Sequence, residues 1–316
     1  MRIDLHVHSN ASDGTDSPAR VASRAGAAGL DVLALTDHDT QAGVDEARAA
    51  LPAGISLLDG IELSCQLDQR SVHLLAYQFD RDDPALSAET GRIRDDRVYR
   101  ARAMTERLAE LGTGVTWAQV SAIAGDGVVG RPHLARALAD AGAVASPADA
   151  FTREWIGDGG RAFVDRYAPD LERAVRLVNA AGGAAVLAHP RSPGYEVGDE
   201  VIEGLAAAGL AGIEVFHFDH DQPARARLAG LARSLGLIMT GGSDDHGSYH
   251  PGGRPPVPPG ARPMGAPGYR AREGHPGGQP PVPPAGPPGG TTGRQGLGAE
   301  TTPPEEYERL LAWTGP

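Results

Sequence analysis

A single cysteine, Cys65, is all that this chain of 316 residues contains. It excludes an internal disulfide, so stability rests on packing and on any ions the chain binds. Standing just after Glu62, it reads as a small buried residue rather than a ligand or nucleophile. No apolar stretch approaches the roughly 18 residues that would span a membrane. The opening Arg2-Ile3-Asp4-Leu5-His6 lacks the apolar core of a secretory signal. The expectation is a cytoplasmic location and no membrane partner. Positive charge is scarce too: 29 Lys and Arg face 41 Asp and Glu, a net charge of −12. That balance argues against binding long nucleic acids, which need a basic surface.

What the chain does have is a series of short polar motifs at the ends of apolar runs: His6 and His8, Asp13, Asp37-His38-Asp39, Glu62, His73, His189, and Asp244-Asp245-His246. Histidines and carboxylates brought together from the ends of several strands make a metal cluster.

The apolar runs predict strands over 3–7, 31–36, 55–61 and 72–79, with helices from Ser17-Pro18 to about residue 28 and over 41–50. Strand and helix alternate again after residue 167, with helices over 171–181, 201–208 and 223–235 and strands over 184–188, 212–216 and 237–241. Such alternation argues for an α/β fold with a parallel sheet or barrel, made of residues 1–83 and 167–247. Between the halves, residues 84–166 read as an inserted helical subdomain, with helices over 87–111, 117–124, 132–141 and 147–156. Residues 247–290 hold 12 Gly and 14 Pro, too many to sustain a core, so 248–293 is expected to be a disordered insertion. Its two Pro-Pro-Val-Pro-Pro runs could fit aromatic grooves, but a tolerated loop without a protein partner is the expectation. Residues 294–316 close the chain with a helix over 304–313 that offers Leu310, Leu311 and Trp313 for docking.

Within His6-Val7-His8 the strand period of two puts both imidazoles on one side, so both can reach one ion. Asp13 lies in a loop where Asp commonly just makes a turn. His38 is a candidate ligand, while Asp37 and Asp39 are either carboxylates that orient an imidazole or, for Asp39, a helix cap. Glu62, expected to end its strand, can bridge two cations as a neutral imidazole cannot. His73, His189, Asp244 and His246 follow the same strand-end rule, and in α/β barrels the C-terminal face is where sites are built.

The ordered set His6-x-His8, Thr36-Asp37-His38, Gly60-Ile61-Glu62, His73, Ala188-His189-Pro190 and Gly242-Ser243-Asp244-Asp245-His246-Gly247 resembles the PHP (polymerase and histidinol phosphatase) family of metal-dependent phosphoesterases. The resemblance runs to about residue 247 and resumes at Leu297-Gly298-Ala299-Glu300-Thr301-Thr302-Pro303. The Pro/Gly segment departs from the family pattern, which crosses this point by a short loop. Gly130-Arg131-Pro132-His133-Leu134-Ala135, Ala150-Phe151 and the turn over 157–160 are similar to the branch of nucleoside 3′,5′-bisphosphate phosphatases and a 5′→3′ exoribonuclease.

This resemblance implies a distorted seven-stranded β/α barrel holding two to three divalent ions, Mn²⁺, Fe²⁺ or Zn²⁺. One would take His6, His8, Glu62 and Asp244; a second Glu62, His73 and His189; a third Asp13, His38 and His246. The expected reaction is direct hydrolysis, with metal-activated water attacking phosphorus in line and no phosphoenzyme. Arg131 is the expected phosphate clamp. His133 is its helper or the leaving-group acid, and Arg191 a second phosphate contact. The expected substrate is a small phosphorylated molecule, a nucleotide or short oligoribonucleotide. Two alternatives stand: a histidinol-phosphate phosphatase using the same cluster, and a non-catalytic module that keeps the metals for structure.

Overall fold

The computed structural model describes residues 1–192, 196–247 and 296–316. Seven strands form one sheet in chain order: β1 (Ile3–Val7), β2 (Val32–Leu35), β3 (Ser56–Leu67), β4 (Arg70–Tyr77), β5 (Ala184–Leu187), β6 (Gly212–Phe216) and β7 (Ile238–Gly241). Every residue of β1, β2 and β5 is buried, as expected of continuous apolar strands covered on both faces. Helices α1 (Pro18–Ala27) and α2 (Val44–Ala49) connect the first three strands. Helices α6 (Leu171–Ala180), α7 (Asp199–Ala207) and α8 (Gln222–Leu235) alternate with the last three. Ser17 caps α1 by accepting from Arg20 N at 3.2 Å, with Pro18 in the first turn as its sequence predicts. Pairing between β1 and β7 nearly closes the barrel: His8 N donates to Asp245 O at 3.0 Å and Asp244 N to His6 O at 2.8 Å.

The sheet is not wholly parallel. β3 and β4 form an antiparallel hairpin with Leu67 opposite Arg70, and β4 is antiparallel to β5 as well. The two turn residues, Asp68 and Gln69, have φ of +49° and +63°, the paired left-handed geometry of a type I′ turn. Glu62 therefore does not end a strand. It lies midway along a 12-residue strand that continues because its hairpin partner supplies hydrogen bonds to Leu67. His73, near the start of the reversed strand, reaches the rim where the parallel strands of the sheet end.

Between β4 and β5 come α3 (Pro84–Glu110), α4 (Trp117–Ala124) and α5 (Arg131–Asp140). They share an apolar core of their own that includes Met104, Leu108, Val120, Leu134, Leu138 and Ile156. The helix expected over 147–156 is only a 3₁₀ turn, Pro147–Ala150, because Phe151 leaves the helical region at ψ +49°. The chain then winds through tight turns in which Gly157 N donates to Thr152 O and Gly160 N to Gly157 O.

The final helix, α9 (Pro304–Leu311), docks through Leu310 and Trp313 against the cluster of Ile3, Leu5 and Val186. Leu311 does not join it and stays 40% exposed. Buried Asp4 ties the chain's two ends together, accepting from Ser243 N at 2.9 Å and Gly298 N at 2.7 Å. Burial raises its carboxyl to about 6 against the pull of those donors. The Pro/Gly segment over 248–293 lies outside the described residues. Among the described residues, no helix is long and apolar enough to cross a membrane.

Candidate metal centre

The strand ends converge on one carboxylate. Glu62 is 1% exposed, and five imidazoles surround it. Its Oε2 lies 3.2 Å from His6 Nε2, 3.2 Å from His8 Nε2 and 3.1 Å from His38 Nδ1. Its Oε1 lies 2.9 Å from His73 Nδ1 and 3.2 Å from His189 Nε2. Asp244 closes the first group, its Oδ1 3.4 Å from His6 Nε2 and 3.1 Å from His8 Nε2. Asp13 gathers another, 3.3 Å from His246 Nε2, 3.8 Å from His38 Nε2 and 3.9 Å from His8 Nδ1. All nine residues expected from the sequence to be ligands thus share one cluster. Three sets have ligand atoms within 4.8 Å of one another: His6, His8, Glu62 and Asp244; His8, Asp13, His38 and His246; and His38, Glu62 and His73.

These residues fit divalent ions. Two donors each about 2.1 Å from one ion stand roughly 3–3.5 Å apart, the spacing seen around Glu62 and Asp244. Several of the buried nitrogens, namely His6 Nε2, both nitrogens of His8, His38 Nδ1 and His73 Nδ1, have no hydrogen-bond partner among the described residues. Buried polar atoms are rarely left so, and lone pairs converging on a common point are what a cation uses. The titration pattern agrees. Burial would lower His8, but Asp244 and Glu62 raise it to about 10. Burial drives His38 down to about 3 in spite of Glu62 and Asp13. Burial opposes the charge on Glu62, yet His38, His73 and His6 hold its carboxyl well below the usual range. The carboxylates need positive charge that the crowded imidazoles cannot all carry as protons, and metal ions displace protons from such ligands.

Surrounding groups fix the ligands' aim. Glu214 Oε1 meets His6 Nδ1 at 3.0 Å, while its Oε2 accepts from His189 N at 2.9 Å. Asp37 braces the loop that carries Asp13, accepting from Ser9 N at 2.7 Å and from the hydroxyls of Ser9 and Ser12 at 2.6 Å each. Asp39 caps no helix, since α2 begins after Gly43. It accepts from Ser64 N, Ser64 Oγ and Arg97 Nε, each at 2.7 Å. His189, Asp244 and Asp39 have φ of +25°, +50° and +57°, strained values for non-glycine residues that surrounding structure must hold in place.

The centre opens into a cavity of about 240 Å³ whose wall also carries Arg97, Arg100, Arg131 and Arg166. Burial together with the neighbouring guanidiniums lowers Arg100 to about 9 and Arg166 to about 10. Such crowding of like charge favours an anion. Arg131 reaches this wall, where its Nη1 bonds Asp158 Oδ1 at 2.7 Å and its guanidinium lies 5.8 Å from the centroid of the Phe151 ring. His133 does not line the cavity; its Nδ1 accepts from Gly130 N at 2.9 Å, capping α5. Arg191 does not line it either, because its guanidinium is bonded to Val197 O and Asp199.

Two further groups, Glu214 and His217, belong to the centre. His217 follows β6 as His189 follows β5, and its Nε2 lies 3.5 Å from Asp244 Oδ2. Arg97 and Arg100 were legible only as a three-residue spacing on α3. Arg166, in a loop, had no signal.

Comparison with known proteins agrees with this geometry. A family model described as the PHP domain matches residues 4–119. The chain is 37% identical over 249 residues to a 5′-3′ exoribonuclease of Haemophilus influenzae, covering 78% of this chain and 90% of that protein. It is 37% identical over 272 residues to a 3′,5′-nucleoside bisphosphate phosphatase of Chromobacterium violaceum, covering 83% and 94%. A solved structure from Bifidobacterium adolescentis, described as a candidate metal-dependent phosphoesterase, superposes with a TM-score of 0.78 at 30% identity, covering 98% and 95%. A metal-dependent phosphoesterase is the class of enzyme that barrel, cluster and relatives define together. The chain belongs to the PHP domain family.

Proposed function

We propose that this chain hydrolyses phosphate monoesters and diesters of nucleotides, taking nucleoside 3′,5′-bisphosphates or short 5′-phosphorylated oligoribonucleotides. The observation that carries this reading is a small cavity lined both by four arginines and by the histidine and carboxylate cluster. The cluster suits divalent ions and the arginines suit phosphate oxygens. The relatives named for these two activities support it.

His6, His8, Glu62 and Asp244 would hold one ion, Glu62 with His73 and His189 a second, and Asp13, His38 and His246 a third. Ions held there supply Lewis acidity to phosphoryl oxygens and lower the pKa of water into the neutral range. The chain's own residues do the rest. Glu62, with an oxygen facing each of two groups, offsets the repulsion between neighbouring cations. Arg97 and Arg166, both bonded to Ser64 Oγ at 2.7 and 3.0 Å, present fixed positive charge to the transferring phosphoryl group. Such preorganised charge stabilises a transition state without reorganisation cost. Arg131 gives up the exposed Asp158 to engage substrate.

The test is an assay of Mn²⁺-loaded protein against a nucleoside 3′,5′-bisphosphate, a 5′-phosphorylated trinucleotide and histidinol phosphate. The expected result is kcat/KM at least about tenfold higher for a nucleotide substrate, worth about 1.4 kcal/mol of transition-state binding. Preference for histidinol phosphate would replace this reading with the amine-bearing substrate. Inactivity on all three, with metal bound, would favour a structural module.

A further inference from the structure

Behind the arginine wall lies a second and larger cavity, about 920 Å³, lined by Arg70, Arg100, Arg131, Arg153 and Arg166 with Gln66, Gln69, Ser71 and Phe163. Ser71, Arg100, Arg131 and Arg166 line both cavities, so the two adjoin at the arginine wall. Resting on the proposed function, we infer that this cavity is the path for the part of a substrate beyond the reacting phosphate. Arg153 then meets the next phosphodiester, making the chain selective for oligonucleotides over single nucleosides.

Volume is the first argument. Sites that enclose drug-sized ligands run from about 300 to 1,000 Å³, so 240 Å³ beside the metal cluster has room for the reacting phosphate but not for a nucleotide chain. The remainder of the substrate must leave the cluster, and the larger cavity adjoins the smaller at Ser71, Arg100, Arg131 and Arg166.

Charge is the second. Five arginines and only two carboxylates, Asp158 and Asp165, line the second cavity, a local excess of three positive charges on a chain whose net charge is −12. Asp158 is committed to Arg131 at 2.7 Å, whereas no described carboxylate forms an ion pair with Arg153. Arg153 and Arg70 line only the second cavity, so they lie past the arginines that face the metals. A 3′-phosphate on a single nucleoside falls to the shared arginines, and a longer chain is needed to reach Arg153.

Recognition is the third. Phe163 has the Arg100 guanidinium 5.1 Å and the Arg131 guanidinium 5.9 Å from its ring centroid. Single-stranded nucleic acids are bound by such combinations of planar arginines and aromatics, which stack on bases without demanding a sequence. No base-specific pocket is required, so length rather than sequence is what the cavity reads.

The test compares a 5′-phosphorylated trinucleotide with a nucleoside 3′,5′-bisphosphate, using Mn²⁺-loaded wild type, Arg153→Ala and Arg153→Glu. Arg153 is exposed, and melting curves verify that the variants are folded. In the wild type, kcat/KM should favour the trinucleotide by about tenfold or more, and Arg153→Glu should cut that ratio about tenfold. Arg153→Ala should reduce the salt dependence of the trinucleotide KM by about 0.7 in log–log slope, one contact to a single strand. Equal efficiency of the two substrates in the wild type, or a ratio unmoved by Arg153→Glu, would overturn the inference while leaving the phosphoesterase reading intact. Inactivity of the wild type on both substrates would overturn that reading and this inference with it.

Discussion

Glu214 Oε1 and His6 Nδ1 meet at 3.0 Å with both side chains wholly buried. A carboxylate behind a ligating imidazole fixes its tautomer and makes its other nitrogen a better donor. Glu214→Gln keeps the shape and an acceptor oxygen but removes the charge. Affinity for Mn²⁺ should fall by about ten- to a hundredfold, read by competition with a chelator, while the circular dichroism spectrum stays unchanged. Unaltered Mn²⁺ affinity would show that Glu214 does not tune His6.

At Gly242 there is no room for a side chain. A Cβ built there would stand 2.3 Å from His6 Cβ and 2.5 Å from His6 N. Gly242→Ala must push β1 away from the segment bearing Asp244. We expect a loss of about 1–3 kcal/mol in urea unfolding, together with weakened metal binding. A variant as stable as the wild type with full metal content would mean that the two segments part more easily than their contacts indicate.

Gln69, at φ +63° in the β3–β4 turn, sits where hairpins prefer glycine. The left-handed conformation costs a non-glycine residue about 1–2 kcal/mol, and glycine's extra freedom in the unfolded chain returns about 0.5–1 kcal/mol of that gain. Gln69→Gly should therefore stabilise the protein by about 0.5–1 kcal/mol in urea titration. Destabilisation would show that the Gln69 side chain makes contacts worth more than the strain.

Burial pushes the Cys65 thiol well above its ordinary value of 9.0, with Asp39 adding to the effect. A raised acid favours the folded state in its neutral form, so this group costs no stability below pH 9. It costs progressively more as pH rises past the unfolded value, where only the unfolded thiol ionises. Iodoacetamide at pH 8.5 should leave the folded protein unmodified and label it fully in denaturant, as mass spectrometry would reveal. Labelling of the folded protein at the denatured rate would contradict this.

The barrel was legible because its parallel strands are unbroken apolar runs and its ligands stand where those runs stop. His189 and Asp244 are such residues. Glu62 and His73 were found as candidates but misplaced, because the Asp68-Gln69 turn carries no glycine or proline to mark a hairpin. Without that reversal the strand after Glu62 looked like an ending. Arg191 looked well placed by adjacency to His189, yet an acidic residue eight positions on, Asp199, draws its side chain elsewhere. Apart from Arg131, the arginine wall was hidden twice over: α3 brings in Arg97 and Arg100 from a helix far along the chain, and net charge averages away a local excess. Sequence neighbours reveal metal-binding candidates set by one strand end, but not a surface assembled from two helices and a loop.

The seam between β1 and β7 gives the centre a mechanical meaning. Few backbone hydrogen bonds cross it, and His6 and His8 stand on one lip with Asp244 and His246 on the other. An ion held by His6, His8 and Asp244 would rivet residues almost the full described barrel apart in sequence, as a covalent cross-link would. In a chain with one cysteine, that rivet stabilises without a disulfide: the ion binds the folded cluster and not the unfolded chain, so its binding free energy becomes folding free energy. Stripping the metal should thus do more than stop turnover. Amide exchange should quicken first along β1 and the 241–246 segment, and the barrel should begin to open at the lips that hold its chemistry.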